Sequence, residues 1–146
     1  MFDLPVLPAP RHALAVQIAV EAGRQVHAAI SRASIVKDEA SREIVTEADQ
    51  LAERMITEAV RHVFPDDAVL GEENGLSVGR SGYTWVIDPI DGTTNFANRI
   101  PAYCVSIGVL EDGRPHVGVA YDPTRDELFH AVCGHGAFRD DVRIYV

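Results

Sequence analysis

The sequence predicts an α+β fold in which two helices pack on one face of an antiparallel sheet. Three observations predict it. Apolar residues recur at helical spacing twice in the first half, from Leu14 to Ile30 and from Leu51 to Val63. From Val105 onward they alternate with small or polar residues in short runs broken by turn residues. No repeat, low-complexity tract or linker interrupts the 146 residues, a length that suits one domain with a real core.

Residues 1–10 are proline-rich and read as an extended lead-in. From Arg11 to about Ala33, Leu14, Ile18, Ala22, Val26 and Ile30 fall four apart, with Ala15 and Ala19 beside them. That face is core, and Gly23 is a mild weakness in the helix. Residues 34–45 read as a charged, exposed loop holding Lys37, the only lysine in the chain. The segment 44–49 opens the second helix. Thr46 can cap it, with Asp49 near the third helical position in a variant of the capping box. Leu51, Met55, Ala59 and Val63 continue the helix. His62 is a last-turn cation or a surface residue, and Pro65 stops the helix.

Asp66 and Asp67 read as a turn, and residues 68–70 as a strand ending in Gly71-Glu72-Glu73-Asn74. Adjacent glutamates repel when confined, so they face solvent or a cation holds at least one. Residues 75–83 read as a Gly/Ser-rich loop. Trp85, Val86 and Ile87 form a short apolar run of the buried-strand kind. Pro89 forces Asp88 into an extended conformation and removes the next backbone donor, so the strand is expected to end at Asp88. Asp91-Gly92 is a turn signal, and Thr93, Thr94 and Asn95 are helix-start residues. Any helix there is short, because Pro101 follows. A lone Asp-x-x-Asp is most often a solvated turn. Here the two acids stand between a buried strand and a helix start, where carboxylate oxygens suit a hard cation and free N–H groups suit phosphate. If the two strands are neighbours, Glu72 and Asp88 meet at one end of the sheet. The remainder reads as strand, a hairpin turn at 111–114, return strand, a turn at 121–125, and further strands at 128–132, 137–139 and 143–146. His116, His130 and His135 have no ligand-spaced partner and stay outside the site.

There are 22 acidic against 13 basic residues, a formal charge of −9. That balance opposes nucleic acid and anionic membranes and is compatible with divalent cations. Cys104 and Cys133 lack CxxC spacing, which leaves zinc unsupported. They read as buried free thiols in a reducing compartment. No basic, apolar leader and no stretch of membrane-spanning length is evident, so a cytoplasmic protein is expected.

Residues 85–96 resemble the signature of the inositol monophosphatase family, within the Mg-dependent, Li-sensitive sugar and polyol phosphatase superfamily. The resemblance extends through Gly71-Glu72-Glu73-Asn74, Tyr121-Asp122-Pro123 and Gly134-His135-Gly136-Ala137, and covers nearly the whole chain. It implies the N-terminal domain of that fold and a phosphomonoesterase using two metals to activate water. The first metal, Mg²⁺ or Mn²⁺, would be held by Glu72, Asp88 and the Ile90 carbonyl, and a second would be shared by Asp88 and Asp91. The resemblance further implies that Asp49 pairs with Thr93 to orient the attacking water, and that Gly92 and Thr93 N–H groups hold phosphate. It places Glu73 and Lys37 near the metals, although the charged surroundings of Lys37 also fit a solvated loop.

Family members carry a second α/β domain that supplies a later aspartate to the second metal. No such segment is present in 1–146, so the chain alone is expected to turn over weakly or not at all. Inositol monophosphate or a similar polyol phosphate is the implied substrate, and a homodimer the implied assembly. The alternatives are a phosphatase for histidinol phosphate, fructose bisphosphate or adenosine bisphosphate, and a non-catalytic metal-binding or dimerising module derived from the enzyme.

Overall fold

The computed structural model describes residues 5–32, 39–72 and 74–145. Lys37 and Glu73 lie outside the described residues. Among these, the helices are α1 Pro10–Arg32, α2 Glu39–Val63 and α3 Thr93–Ala97. The strands are β1 Ala68–Gly71, β2 Gly75–Ser77, β3 Tyr83–Asp91, β4 Cys104–Glu111, β5 Arg114–Asp122, β6 Glu127–Val132, β7 Gly136–Arg139 and β8 Val142–Ile144. They form one sheet in the order β2-β1-β3-β4-β5-β6-β7-β8. Every neighbouring pair is antiparallel except β1 and β3, which run parallel. The α+β architecture is thus realised as helices on a mixed, largely antiparallel sheet. No helix among the described residues is long and apolar enough to cross a membrane.

The inward row of the sheet follows from period-2 alternation. Trp85 faces Val109, which faces Val117 and then Val132; Ile87 faces Ile107, then Val119 and His130. All of these are buried beneath α1 and α2, which pack on this face and on each other. The stripe expected on α1 is buried as Ala15, Ile18, Ala19, Ala22 and Val26. Gly23 is no weakness there: a Cβ would stand 2.5 Å from the Tyr121 ring, so glycine permits the contact between helix and sheet.

Several sequence expectations are corrected. Helix α2 starts at Glu39, so the latter part of the segment read as a loop is helical. Ala40, Arg42 and Glu43 are strong helix formers. Thr46 and Asp49 therefore sit inside α2, and the capping assignment does not hold. The buried stripe of α2 is Ala48, Ala52, Ile56 and Val60, whereas Leu51 and Val63 are exposed. Residues 75–77 form a strand hairpinned onto β1, where a loop was expected. Strand β3 continues through Pro89 to Asp91. Between Asp88 and Asp91 its register with β4 shifts in a bulge, and the missing proline N–H is tolerated at such a site. Cys133 is exposed, not buried.

Two buried polar groups tie α1 to the sheet. His130 Nε2 lies 2.8 Å from the Asp140 carbonyl and must donate to it, leaving Nδ1 to accept from His12 Nε2–H at 2.9 Å. Burial, then the neighbouring His130, pushes the His12 pKa down to about 4. His12 is therefore neutral in the fold. Its contribution is complete above the ordinary histidine value of 6.5 and is lost as pH falls from there through about 4. Urea unfolding at pH 7.5 and pH 4.5 will show this loss, and the drop will be smaller in His12→Gln. An equal drop in both proteins would clear His12 of the effect. The second group is Asp67, read from the sequence as a turn residue. It accepts from Arg11 at 2.7 and 2.8 Å, from Ser81 Oγ at 2.6 Å and from Trp85 Nε1 at 2.8 Å.

Candidate active site

Parallel pairing places Gly71 opposite Ile87, so the next residues, Glu72 and Asp88, emerge side by side at one end of the sheet. The bulge in β3 then brings Asp91 to the same end, opposite Cys104. Three acids from two segments converge there through backbone register alone. Asp88 is half-buried, and its Oδ1 is a buried oxygen without a hydrogen-bond partner among the described residues. Burial first, then the charges of Glu72 and Asp91, push the Asp88 pKa up; a bond from the Ile90 backbone opposes this in part. Glu72 and Asp91 are themselves exposed.

The coupling shows that the three carboxyl groups are neighbours. They are not drawn to one coordination point: among the described residues no group of three His, Cys, Asp or Glu is gathered closely enough to hold an ion as it stands.

The turn after Asp91 depends on Gly92, which has φ +96° and caps α3 without a side-chain bond. Only glycine adopts that conformation readily, and a Cβ would also stand 2.9 Å from the Ala102 carbonyl. The cap is thus backbone geometry, not the Thr93, Thr94 or Asn95 side chains. Asn95 Nδ2 instead donates to the Ala102 carbonyl at 2.8 Å. Buried Phe96 meets the Tyr103 ring edge-on at 5.0 Å between centroids. Burial, then Asp122, pushes the Tyr103 pKa up to about 12, so its O–H stays protonated; the phenol oxygen is hydrogen-bonded with His27 Nδ1 at 2.7 Å. Both contacts hold α3 against the 102–103 segment, and Thr93 at its start is exposed.

Beside Asp91 opens a trough of about 380 Å³ lined by Asp91, Gly92, Asn95, Tyr103, Cys104 and Asp122, among others. That volume lies within the range of small-molecule clefts, about 300–1,000 Å³. Burial pushes the Asp122 carboxyl up, but bonds from Thr124 and Arg125 outweigh it and hold the pKa below the usual range. Burial, followed by the charges of Asp91, Asp88 and Asp122, pushes the Cys104 thiol up to about 11, so it is a protonated thiol at neutral pH.

Asp49 is buried in α2, which packs on α3 and β3. One turn further on, Glu53 is fully buried and Oε1 accepts from the Asn74 N–H at 3.0 Å and from Asn74 Nδ2 at 2.7 Å. Sequence reasoning missed Glu53. The available signal was an acid four residues after Asp49, on a face whose other members are alanine, isoleucine and valine.

Residues 8–146 match the family model for the inositol monophosphatase family. The chain belongs to that family. It is 40% identical over 136 residues to Nus factor SuhB of Pasteurella multocida, covering 88% of this chain and 51% of that protein. It is 50% identical over 96 residues to the inositol-1-monophosphatase of Synechocystis, covering 65% of this chain and 33% of that protein. The crystal structure of the extragenic suppressor protein SuhB from Bartonella henselae superposes with a TM-score of 0.85 at 34% identity, over 94% of this chain and 54% of that one. This inositol monophosphatase family chain thus spans about half the length, or less, of these relatives.

Proposed function

We propose that the chain is the carboxylate-bearing half of a magnesium- or manganese-dependent phosphomonoesterase acting on inositol monophosphate or a similar polyol phosphate. The observation that carries the proposal is Asp88: a buried Oδ1 with no hydrogen-bond partner among the described residues, pressed by the charges of Glu72 and Asp91. Such a group is unfavourable unless a cation meets it. The donor set is all oxygen, which fits hard divalent cations and not zinc. Glu72, Asp88, Asp91 and the Ile90 carbonyl are the residues that would hold the metals. A divalent cation there supplies neutralisation of phosphate charge and a lowered pKa for water.

The chain's own residues do the rest. Asp49 and Thr93 orient the attacking water and hold its proton, and the Gly92 and Thr93 N–H groups position the phosphoryl oxygens. The trough beside Asp91 takes the polyol. Because the chain spans about half of the relatives it matches, the same proposal assigns it weak turnover or none on its own. A homodimer, a cytoplasmic location and partners limited to small phosphate esters complete the reading.

The test is a Mn²⁺ titration followed by Trp85 fluorescence, with phosphate release from inositol 1-phosphate measured in parallel. Saturable binding with phosphate release near background is expected. Absence of binding would overturn the metal site, and robust turnover by these 146 residues would overturn the assigned weakness. Trp85 is three residues from Asp88 on β3, within about 10 Å at strand rise, so its emission reports on the site.

A further inference from the structure

We infer that Glu53 and Asn74 are positioning residues for the Glu72 carboxyl, an inference that rests on the metal-site reading above. Glu72 is exposed, and a glutamate side chain has several rotamers to lose when it is fixed. Its backbone is therefore what must be held, and the turn is held at both ends. At one end Gly71 pairs with Ile87 on β3 and Gly75 on β2. The Glu53 carboxyl presses so closely on Gly71 that a Cβ there would run into Oε1 and Cδ. At the other end Asn74 gives both its backbone N–H and its Nδ2 to the same Oε1, at 3.0 and 2.7 Å.

Glu53 is 0% exposed, so its carboxyl is a fixed point of the core rather than a mobile surface group. One buried oxygen in α2 thus fixes the two residues that flank the Glu72 segment, and the carboxyl delivered there couples to Asp88. The bond carried by the Asn74 side chain brings the turn onto α2. The glycine at 71 is what allows α2 to come that close.

A purely structural role for this contact predicts lost stability and unchanged metal affinity. A positioning role predicts lost affinity. The experiment is Mn²⁺ binding to the whole chain by calorimetry, with thermal unfolding of each variant alongside. Asn74 is exposed, so Asn74→Ala folds. Its Mn²⁺ dissociation constant is expected to rise about three- to tenfold, the scale of one lost hydrogen bond. Placed on Glu53→Ala, the same substitution adds no further loss, because its acceptor is already gone. An unchanged dissociation constant in Asn74→Ala overturns the inference whatever the unfolding midpoint does, and this arm decides alone if Glu53→Ala does not fold. A further loss in the double variant overturns the part given to Glu53. A wild-type chain that takes up no Mn²⁺ overturns the metal-site reading and this inference together. Binding that Asp88→Asn loses but Asn74→Ala keeps overturns only the inference.

Discussion

Asp88→Asn will bind Mn²⁺ at least about 100-fold more weakly than the wild type, because losing even an outer-shell partner of a metal ligand costs about 10- to 100-fold. It will nevertheless unfold at a denaturant concentration no lower than the wild type. The two outcomes together are diagnostic. Asparagine keeps the size and planarity of the side chain and removes its charge. In the fold as it stands, that charge is opposed by burial and by Glu72 and Asp91, and Oδ1 has no partner among the described residues. A residue kept for stability would make the variant weaker. One kept to meet a cation makes the metal-free fold easier to hold together, the usual exchange of stability for function. Calorimetric titration with Mn²⁺ and urea unfolding with EDTA present check the two halves. If Asp88→Asn keeps its metal affinity, or loses more than about 1 kcal/mol of stability, a typical hydrogen bond's worth, then Asp88 is a structural residue.

How far sequence carries toward this site depends on whether the determining contacts are local. The α1 stripe was legible because Ile18, Ala22 and Val26 all press on one sheet face, which imposes the 3.6-residue period. On α2 the larger Leu51 and Val63 suggested the wrong face. The helix packs closely through Ala48 and Ala52, and alanine is a weak hydrophobic signal. Thr46 and Asp49 share the spacing of a helix start, yet they are internal because the helix-forming residues from Glu39 onward extend α2 past them. Pro89 gave a stop signal that is valid for a regular ladder. The bulge in β3 removes the need for its N–H, which keeps Asp91 in the sheet. The acids themselves were readable as ends of two strands, but the parallel pairing that sets Glu72 beside Asp88 was not, since nothing in either segment encodes its partner. Glu53 and Asp67 escaped for the same reason. Their hydrogen-bond partners lie 21 residues away for Glu53, and 14 to 56 away for Asp67.

Asp67→Ala is expected to destabilise the fold by about 3–5 kcal/mol, the scale set by removing one partner of a buried ion pair. The carboxylate side chain is 1% exposed and Arg11 is 17% exposed, so the Coulombic attraction is little screened. Burial pushes the Asp67 pKa up, but bonds from Arg11, Ser81 and Trp85 outweigh it and hold it below the usual range. Removing the carboxylate strands the Trp85 indole N–H in the core and leaves Arg11 over the Tyr83 and Phe64 rings with its charge unmet. It also unties the start of α1 from the residues just before β1 and β3, which carry Glu72 and Asp88 to the site. Urea unfolding at pH 7 measures the loss, and an unchanged slope would show that the variant unfolds from the same compact state. The sign of the pH dependence gives a second check. The folded pKa is depressed, so the contribution is present above the ordinary aspartate value and disappears as pH falls through the folded one. The gap between wild type and Asp67→Ala should therefore close in acid, and a gap that stays constant below pH 3 would assign the effect to packing around Trp85 instead of to the ion pair.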